Sequence, residues 1–166
     1  MKVENQINQY LNNEITLWGV VEKLVEFEVI PNNTNTLNNA IKFIINNESD
    51  KGMIATLLLW CMKDSPVKSL NETSNSFINF LLTIRDKDSS FYNQKIEWIY
   101  TDNHSCTFKK DNLLFVINDE NETKRMQLPD EFCDKTILCI NCNEEIKVSY
   151  FIDVPATTFY IIEVVE

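Results

Sequence analysis

The chain is poor in glycine, histidine and basic residues, and each shortage excludes something. Only Gly19 and Gly52 occur in 166 residues, beside four prolines and a single histidine, His104. Loops that cradle phosphate set several glycines close together so that backbone amides can approach the anion, so the scarcity argues against nucleotide binding. Lys and Arg number 15 against 25 Asp and Glu, which gives a formal charge of −10 and a pI near 4.6. DNA, RNA and anionic membranes attract basic surfaces, so neither nucleic acid nor membrane is an expected partner. The longest apolar run, Met53 to Met62, falls well short of the roughly 20 residues that span a bilayer. The stretch from Met1 to Asn8 has no signal-peptide pattern. The five cysteines lack the dense spacing of a secreted disulfide scaffold. A cytoplasmic location is the expectation.

What is present suffices for a core: 44% of residues are hydrophobic and 11% aromatic. Up to about residue 90 the apolar period is helical. Ile7, Tyr10 and Leu11 mark a first helix over Glu4–Leu11. Leu17, Val21, Leu24 and Val25 mark a second, with Asn12 or Asn13 as its N-cap. Pro31 closes it. A third is expected from Thr36 to Ile45, a fourth over Met53–Met62 starting at Ser49 or Asp50, and a fifth over Ser74–Ile84. The fourth is apolar all round, which belongs in the centre of a core. Beyond Ser90 the period changes to 2, and seven strands are expected: Lys95–Thr101, Ser105–Lys109, Leu113–Asn118, Thr123–Leu128, Thr136–Ile140, Ile146–Phe151 and Thr157–Val165. Helices followed by strands give an α+β fold, a helical region over 1–90 and an antiparallel β region over 91–166.

A helical Met53 to Leu59, the leucine-rich Ser76 to Arg85, the strand Leu113 to Asn118 and the closing Phe159 to Val164 come in an order that resembles the C-terminal region of α-amylase-like glycoside hydrolases. Ser76 to Arg85 (Ser-Phe-Ile-Asn-Phe-Leu-Leu-Thr-Ile-Arg) looks like the last barrel helix, and Leu113 to Asn118 like the strand that reads "VVVN" in the family's C-terminal β-domain. Met53 to Leu59 with Lys63-Asp64-Ser65-Pro66 is similar to the penultimate barrel helix and its "KGTP". Met126 to Pro129, Val154-Pro155 and Phe159 to Val164 follow in matching order. The resemblance covers residues 50–166 and implies barrel helices followed by an antiparallel β-domain. It carries over no catalytic residue. The paired carboxylates of such hydrolases lie in a barrel that these residues do not hold, and the Asn-His-Asp signature has neither His nor Asp at Asn38-Asn39-Ala40-Ile41.

Few residues invite chemistry. Cys139-Ile140-Asn141-Cys142 is a single close thiol pair; with Cys133, and with Cys106 or His104 as a fourth ligand, it would make a zinc set. Structural zinc sites commonly show two such pairs, and cysteine is often a small buried hydrophobe, so neither metal nor cofactor is expected. Among the carboxylates, Asp130, Glu131, Asp134, Glu144 and Glu145 are the choice for partner binding, as one acidic edge of the sheet. Trp98, sharing a strand face with Ile96 and Tyr100, is the aromatic best placed to stack on a ligand. The reading that follows is a non-catalytic protein of immunity, inhibitor or antitoxin type whose acidic edge masks a basic protein surface. The alternative is a carbohydrate-linked binding or assembly module of amylase type, with a glycan as ligand.

Overall fold

The computed structural model of the chain describes residues 3–28, 40, 44–45, 47–62, 75–87, 91 and 94–165. The chain divides into two compact units, Met1–Lys95 and Ile96–Glu166. The helix expected over Thr36–Ile45 lies, apart from Ala40, Ile44 and Ile45, outside the described residues.

Four helices are described in the first unit: α1 (Val3–Leu11), α2 (Leu17–Glu28), α3 (Asp50–Cys61) and α4 (Ser76–Lys87). Polar residues set four of the boundaries. Asn13, expected as a cap for α2, instead closes α1. It adopts φ 61°, while the Asn13 N–H donates to the Tyr10 carbonyl and the Glu14 N–H to the Gln9 carbonyl. This left-handed closure ordinarily falls to glycine, and in a glycine-poor chain Asn supplies it. The cap of α2 is Thr16, whose hydroxyl accepts from the Gly19 N–H at 3.1 Å. Ser49 caps α3 through the Gly52 N–H, and Asn75 caps α4 through the Ile78 N–H.

As its composition requires, α3 is buried along its length from Ile54 to Cys61, and Trp60 stacks on Phe91 at 4.5 Å between ring centroids. Its first turn is anchored to the end of α1. Lys51 Nζ donates to the Tyr10 carbonyl and to Asn13 Oδ1, and lies 4.3 Å from the Tyr10 ring centroid. A cation at a helix C-terminus also complements the partial negative charge there.

The second unit holds eight strands: β1 (Glu97–Thr101), β2 (Ser105–Lys110), β3 (Leu113–Asn118), β4 (Lys124–Gln127), β5 (Thr136–Cys139), β6 (Glu144–Lys147), β7 (Phe151–Val154) and β8 (Thr158–Val164). Six form an antiparallel sheet in the order β1-β2-β3-β8-β5-β6, and β4 pairs with β7 as a separate ribbon. The fold is therefore α+β as expected, with one more strand than the sequence suggests. The single strand read over Ile146–Phe151 is two. β6 pairs with β5; the chain then bends at Val148–Tyr150, and β7 joins the other layer. Aspartate ordinarily favours turns, but Asp153 sits in β7 and pairs with Arg125 across the ribbon.

Ribbon and sheet enclose a core of Leu114, Val116, Met126, Leu128, Phe132, Ile137, Val148, Ile152, Val154 and Ile162. Asn118, the last residue of β3, ties the layers together. It is fully buried; its amide donates to the carbonyls of Glu122, Val154 and Pro155, and its Oδ1 accepts from the Glu120 N–H. The hairpin turns use Asp111 (φ 55°) and Asn143 (φ 53°) where glycine would be usual. No helix among the described residues is long and apolar enough to cross a membrane.

Candidate functional site

Within the second unit a groove of about 720 Å³ runs between β1 and β2 on one side and β4 with the following turn on the other. That volume falls within the usual range for small-ligand sites. Its shape depends on an irregularity in β1. Trp98 pairs with Phe108, yet Tyr100 pairs with Thr107, so the register shifts by one residue at Ile99. A bulge of this kind reverses the alternation beyond it. Trp98 therefore turns to the face where it packs on Phe108 at 4.9 Å, and Phe108 stacks on Phe115 at 4.8 Å. Tyr100 turns to the groove, where it remains 46% exposed. The expected shared face of Trp98 and Tyr100 does not form, because the bulge breaks the two-residue period on which it rested. Opposite, β7 contributes Phe151, 47% exposed, and Ile99 adds a third exposed apolar side chain.

One end of the groove is fixed by a node of short hydrogen bonds on Asp102. Oδ2 accepts from Lys124 Nζ (2.6 Å), the Tyr100 hydroxyl (2.7 Å) and the Ser105 hydroxyl (2.8 Å). Oδ1 accepts from the backbone N–H groups of His104 and Ser105. Burial alone would raise this carboxyl, but the Lys124 ammonium and the surrounding donors outweigh it and hold the pKa well below the ordinary carboxylate range. The Lys124 ammonium is correspondingly raised by Asp102 against its own desolvation. The node joins β1, β2 and β4, so the Tyr100 ring is positioned from both walls.

Two further ion pairs lie along the groove, Arg125 Nε with Asp153 at 3.0 Å and Lys109 Nζ with Glu131 at 3.2 Å, while Glu97 and Asp130 in its lining are exposed. Asp153 is lowered by Arg125. A carboxylic acid that donates a proton at neutral pH needs its pKa raised by burial or by a like charge; both shifted carboxyls here move the other way. The thiols are no better placed for nucleophilic work. Burial pushes Cys106 far up and Cys139 up to about 12, and burial with the nearby Asp130 and Asp134 raises Cys133, which keeps these sulfurs protonated.

The residues singled out from the sequence are dispersed. Asp130 and Glu131 line the groove, and Glu131 is engaged with Lys109. Asp134 is exposed in the following turn, where its N–H donates to the Ser149 carbonyl. Glu144 and Glu145 lie on β6, the far edge of the sheet. Four strand spacings separate β2, which holds Lys109, from β6, about 19 Å. The five carboxylates thus do not form the single acidic edge expected of them. Cys139 is buried and Cys142 exposed, with the two thiols in contact across the β5–β6 turn, whereas the Cys133 thiol is directed at the carbonyls of Leu128 and Pro129. Among the described residues no group of three or more His, Cys, Asp or Glu side chains is placed to hold a metal ion. Tyr100, Thr107, Lys124 and Phe151 are the groove residues that sequence reasoning misses. The adjacent Tyr150-Phe151, two large rings in a stretch that otherwise reads as half-buried strand, is the available signal.

No known family model matches the sequence, and no curated protein resembles it in sequence. Solved structures do resemble it in fold. An α-amylase from Geobacillus thermoleovorans, solved in complex with acarbose, superposes with a TM-score of 0.59 at 11% identity, over 91% of this chain and 44% of that one. An Anoxybacillus α-amylase gives 0.55 at 14% identity, over 92% and 43%. Ttha1563 from Thermus thermophilus gives 0.55 at 10%, over 74% and 32%. The chain therefore spans less than half of each of these proteins, and at such identities the likeness is one of fold.

Proposed function

We propose that this chain is a non-catalytic, carbohydrate-linked module of amylase type that holds a glycan in the groove between β1 and β4. The observation that carries the proposal is the pairing of fold and surface. The fold is shared with part of α-amylase structures, one of them bound to the oligosaccharide analogue acarbose. The groove sets the exposed rings of Tyr100 and Phe151 beside polar Gln127. A pyranose ring presents apolar C–H faces and a girdle of hydroxyls, and so it is suited to a site where aromatic rings offer contact area and a few polar groups fix orientation.

A non-catalytic role is supported by the carboxyls. Asp102 and Asp153 are committed to cations as anions, Glu131 is paired as well, and Glu97 and Asp130 in the lining are exposed to solvent instead of buried as a proton-donating acid requires. A mask for a basic protein draws no support from the site, since its five acids lie along different elements. Titration with maltoheptaose, followed by isothermal calorimetry, tests the proposal. Saturable binding that is weakened by replacing both Tyr100 and Phe151 with alanine is expected. A wild-type protein that binds no maltooligosaccharide at millimolar concentration would refute it.

A further inference from the structure

Thr107 is 1% exposed and lines the groove, and among the described residues its hydroxyl has no hydrogen-bond partner. A buried hydroxyl without a partner is unusual in a folded protein and calls for an explanation in ligand, water or strain. Its position offers one: Thr107 pairs with Tyr100 across β1 and β2, and both line the groove. We propose that Thr107 is the floor anchor of the groove and that its ligand is a neutral oligosaccharide presenting one hydroxyl to it. This inference rests on the carbohydrate reading above and adds to it a specificity-determining residue and a ligand charge.

Two features favour a neutral over an anionic ligand. Lys124 and Arg125 along the groove are already bound by Asp102 and Asp153, and the exposed carboxylates of Glu97 and Asp130 in the lining repel an anion, so an anionic ligand would have to displace an existing pair against that repulsion. A threonine hydroxyl, in contrast, both donates and accepts, and therefore matches a sugar hydroxyl whichever way that group is oriented. Because the hydroxyl is buried in the free protein, contact with a ligand requires a staggered rotation about χ1 that turns it to the groove. The hydroxyl is desolvated before the ligand arrives, so its hydrogen bond forms without stripping water from the protein side, and an analogue lacking the matching hydroxyl forfeits it.

The test is Thr107→Val, which keeps the branched shape and removes the hydroxyl, with Thr107→Ser as the conservative rescue. Maltoheptaose affinity is measured by calorimetry and folding by thermal melting. The expected result is affinity at least tenfold weaker for T107V, retained for T107S, with a melting temperature for T107V equal to or above wild type, since removing an unpaired buried polar group costs the free protein nothing. As a check independent of any variant, single-deoxy maltosides are titrated into the wild-type protein. One deoxy position, and not all, should lose affinity by a similar factor. If wild type binds and T107V binds equally well, or if every deoxy maltoside binds as maltose does, the Thr107 assignment is overturned while the carbohydrate reading stands. If wild type binds no maltooligosaccharide, both fall.

Discussion

Trp98 and Tyr100 stand two positions apart on β1 and face opposite sides of the sheet. The cause is the register shift at Ile99, which sends Trp98 onto Phe108 and Tyr100 to the groove beside Thr107. The relationship divides two jobs between similar residues: one ring fills the aromatic column with Phe108 and Phe115, and the other forms the wall of the groove.

The two positions should therefore respond differently to truncation. Trp98→Ala should cost about 2 kcal/mol of stability, through lost burial and ring packing. Tyr100→Phe removes a hydrogen bond to Asp102 from an exposed ring and should cost less, about 1 kcal/mol. Urea denaturation of the two variants checks the order; a larger loss for Tyr100→Phe would contradict the assignment of faces.

The Asp102 node should make the second unit sensitive to acid. A carboxyl whose pKa is lowered on folding stabilises the protein above its unfolded pKa, near 4, and that contribution disappears as pH falls through the folded value. Asp102→Asn should cost about 2 kcal/mol at pH 7, between the values for exposed and buried pairs. It should also flatten the pH dependence of stability below pH 4. Melting curves of wild type and variant between pH 2 and 7 would show the difference closing as pH falls; a gap that stays constant would mean that Asp102 contributes by shape alone.

Asn118 is expected to be among the least replaceable polar residues in the second unit. Alanine there leaves three carbonyls and one N–H without the side chain that satisfied them. A loss of about 3 kcal/mol is expected, and Asn118→Asp should be comparably damaging, because a carboxylate cannot donate to those carbonyls. Chemical denaturation monitored by near-ultraviolet circular dichroism would measure it. A loss under about 1 kcal/mol for both variants would show that Asn118 is not the tie between layers.

Gly52 should invert the usual helical preference. Alanine is ordinarily better than glycine inside a helix by about 1 kcal/mol. At position 52, however, a Cβ would run into the side chain and the backbone carbonyl of Asn47. Asn47 Oδ1 accepts from the Ser49 N–H and hydroxyl, so it cannot withdraw without loosening the cap of α3. Gly52→Ala should lower stability by about 1–2 kcal/mol, read from the thermal midpoint; a stabilised variant would show that Asn47 gives way.

Much of the fold is legible in the sequence because its signals are local. The all-round apolar helix at Met53–Met62 and the switch to a two-residue period after Ser90 each report burial directly. The reading loses accuracy where geometry, not pattern, decides. Nothing in Glu97-Trp98-Ile99-Tyr100 announces a bulge, so strict alternation puts Tyr100 on the wrong face. The bend at Val148–Tyr150 contains no glycine or proline, so two strands in different layers read as one. The acidic residues look like one edge because Asp130 to Glu145 are close in sequence, while the sheet order carries β6 away from β2. The groove is invisible for the same reason, since its walls are assembled from strands 97–101 and 124–127, brought together only by the fold.

The most direct test of the central claim is to map where sugar binds. Backbone amide shifts of the ¹⁵N-labelled protein, followed by NMR during titration with maltoheptaose, should move in a saturable way for Ile99, Tyr100, Thr107, Phe151 and residues 124–128, 130 and 131. Glu144 and Glu145 on β6 should stay still. Shifts centred on β6, or none at a millimolar excess of maltoheptaose, would contradict the claim that the groove between β1 and β4 is a glycan site.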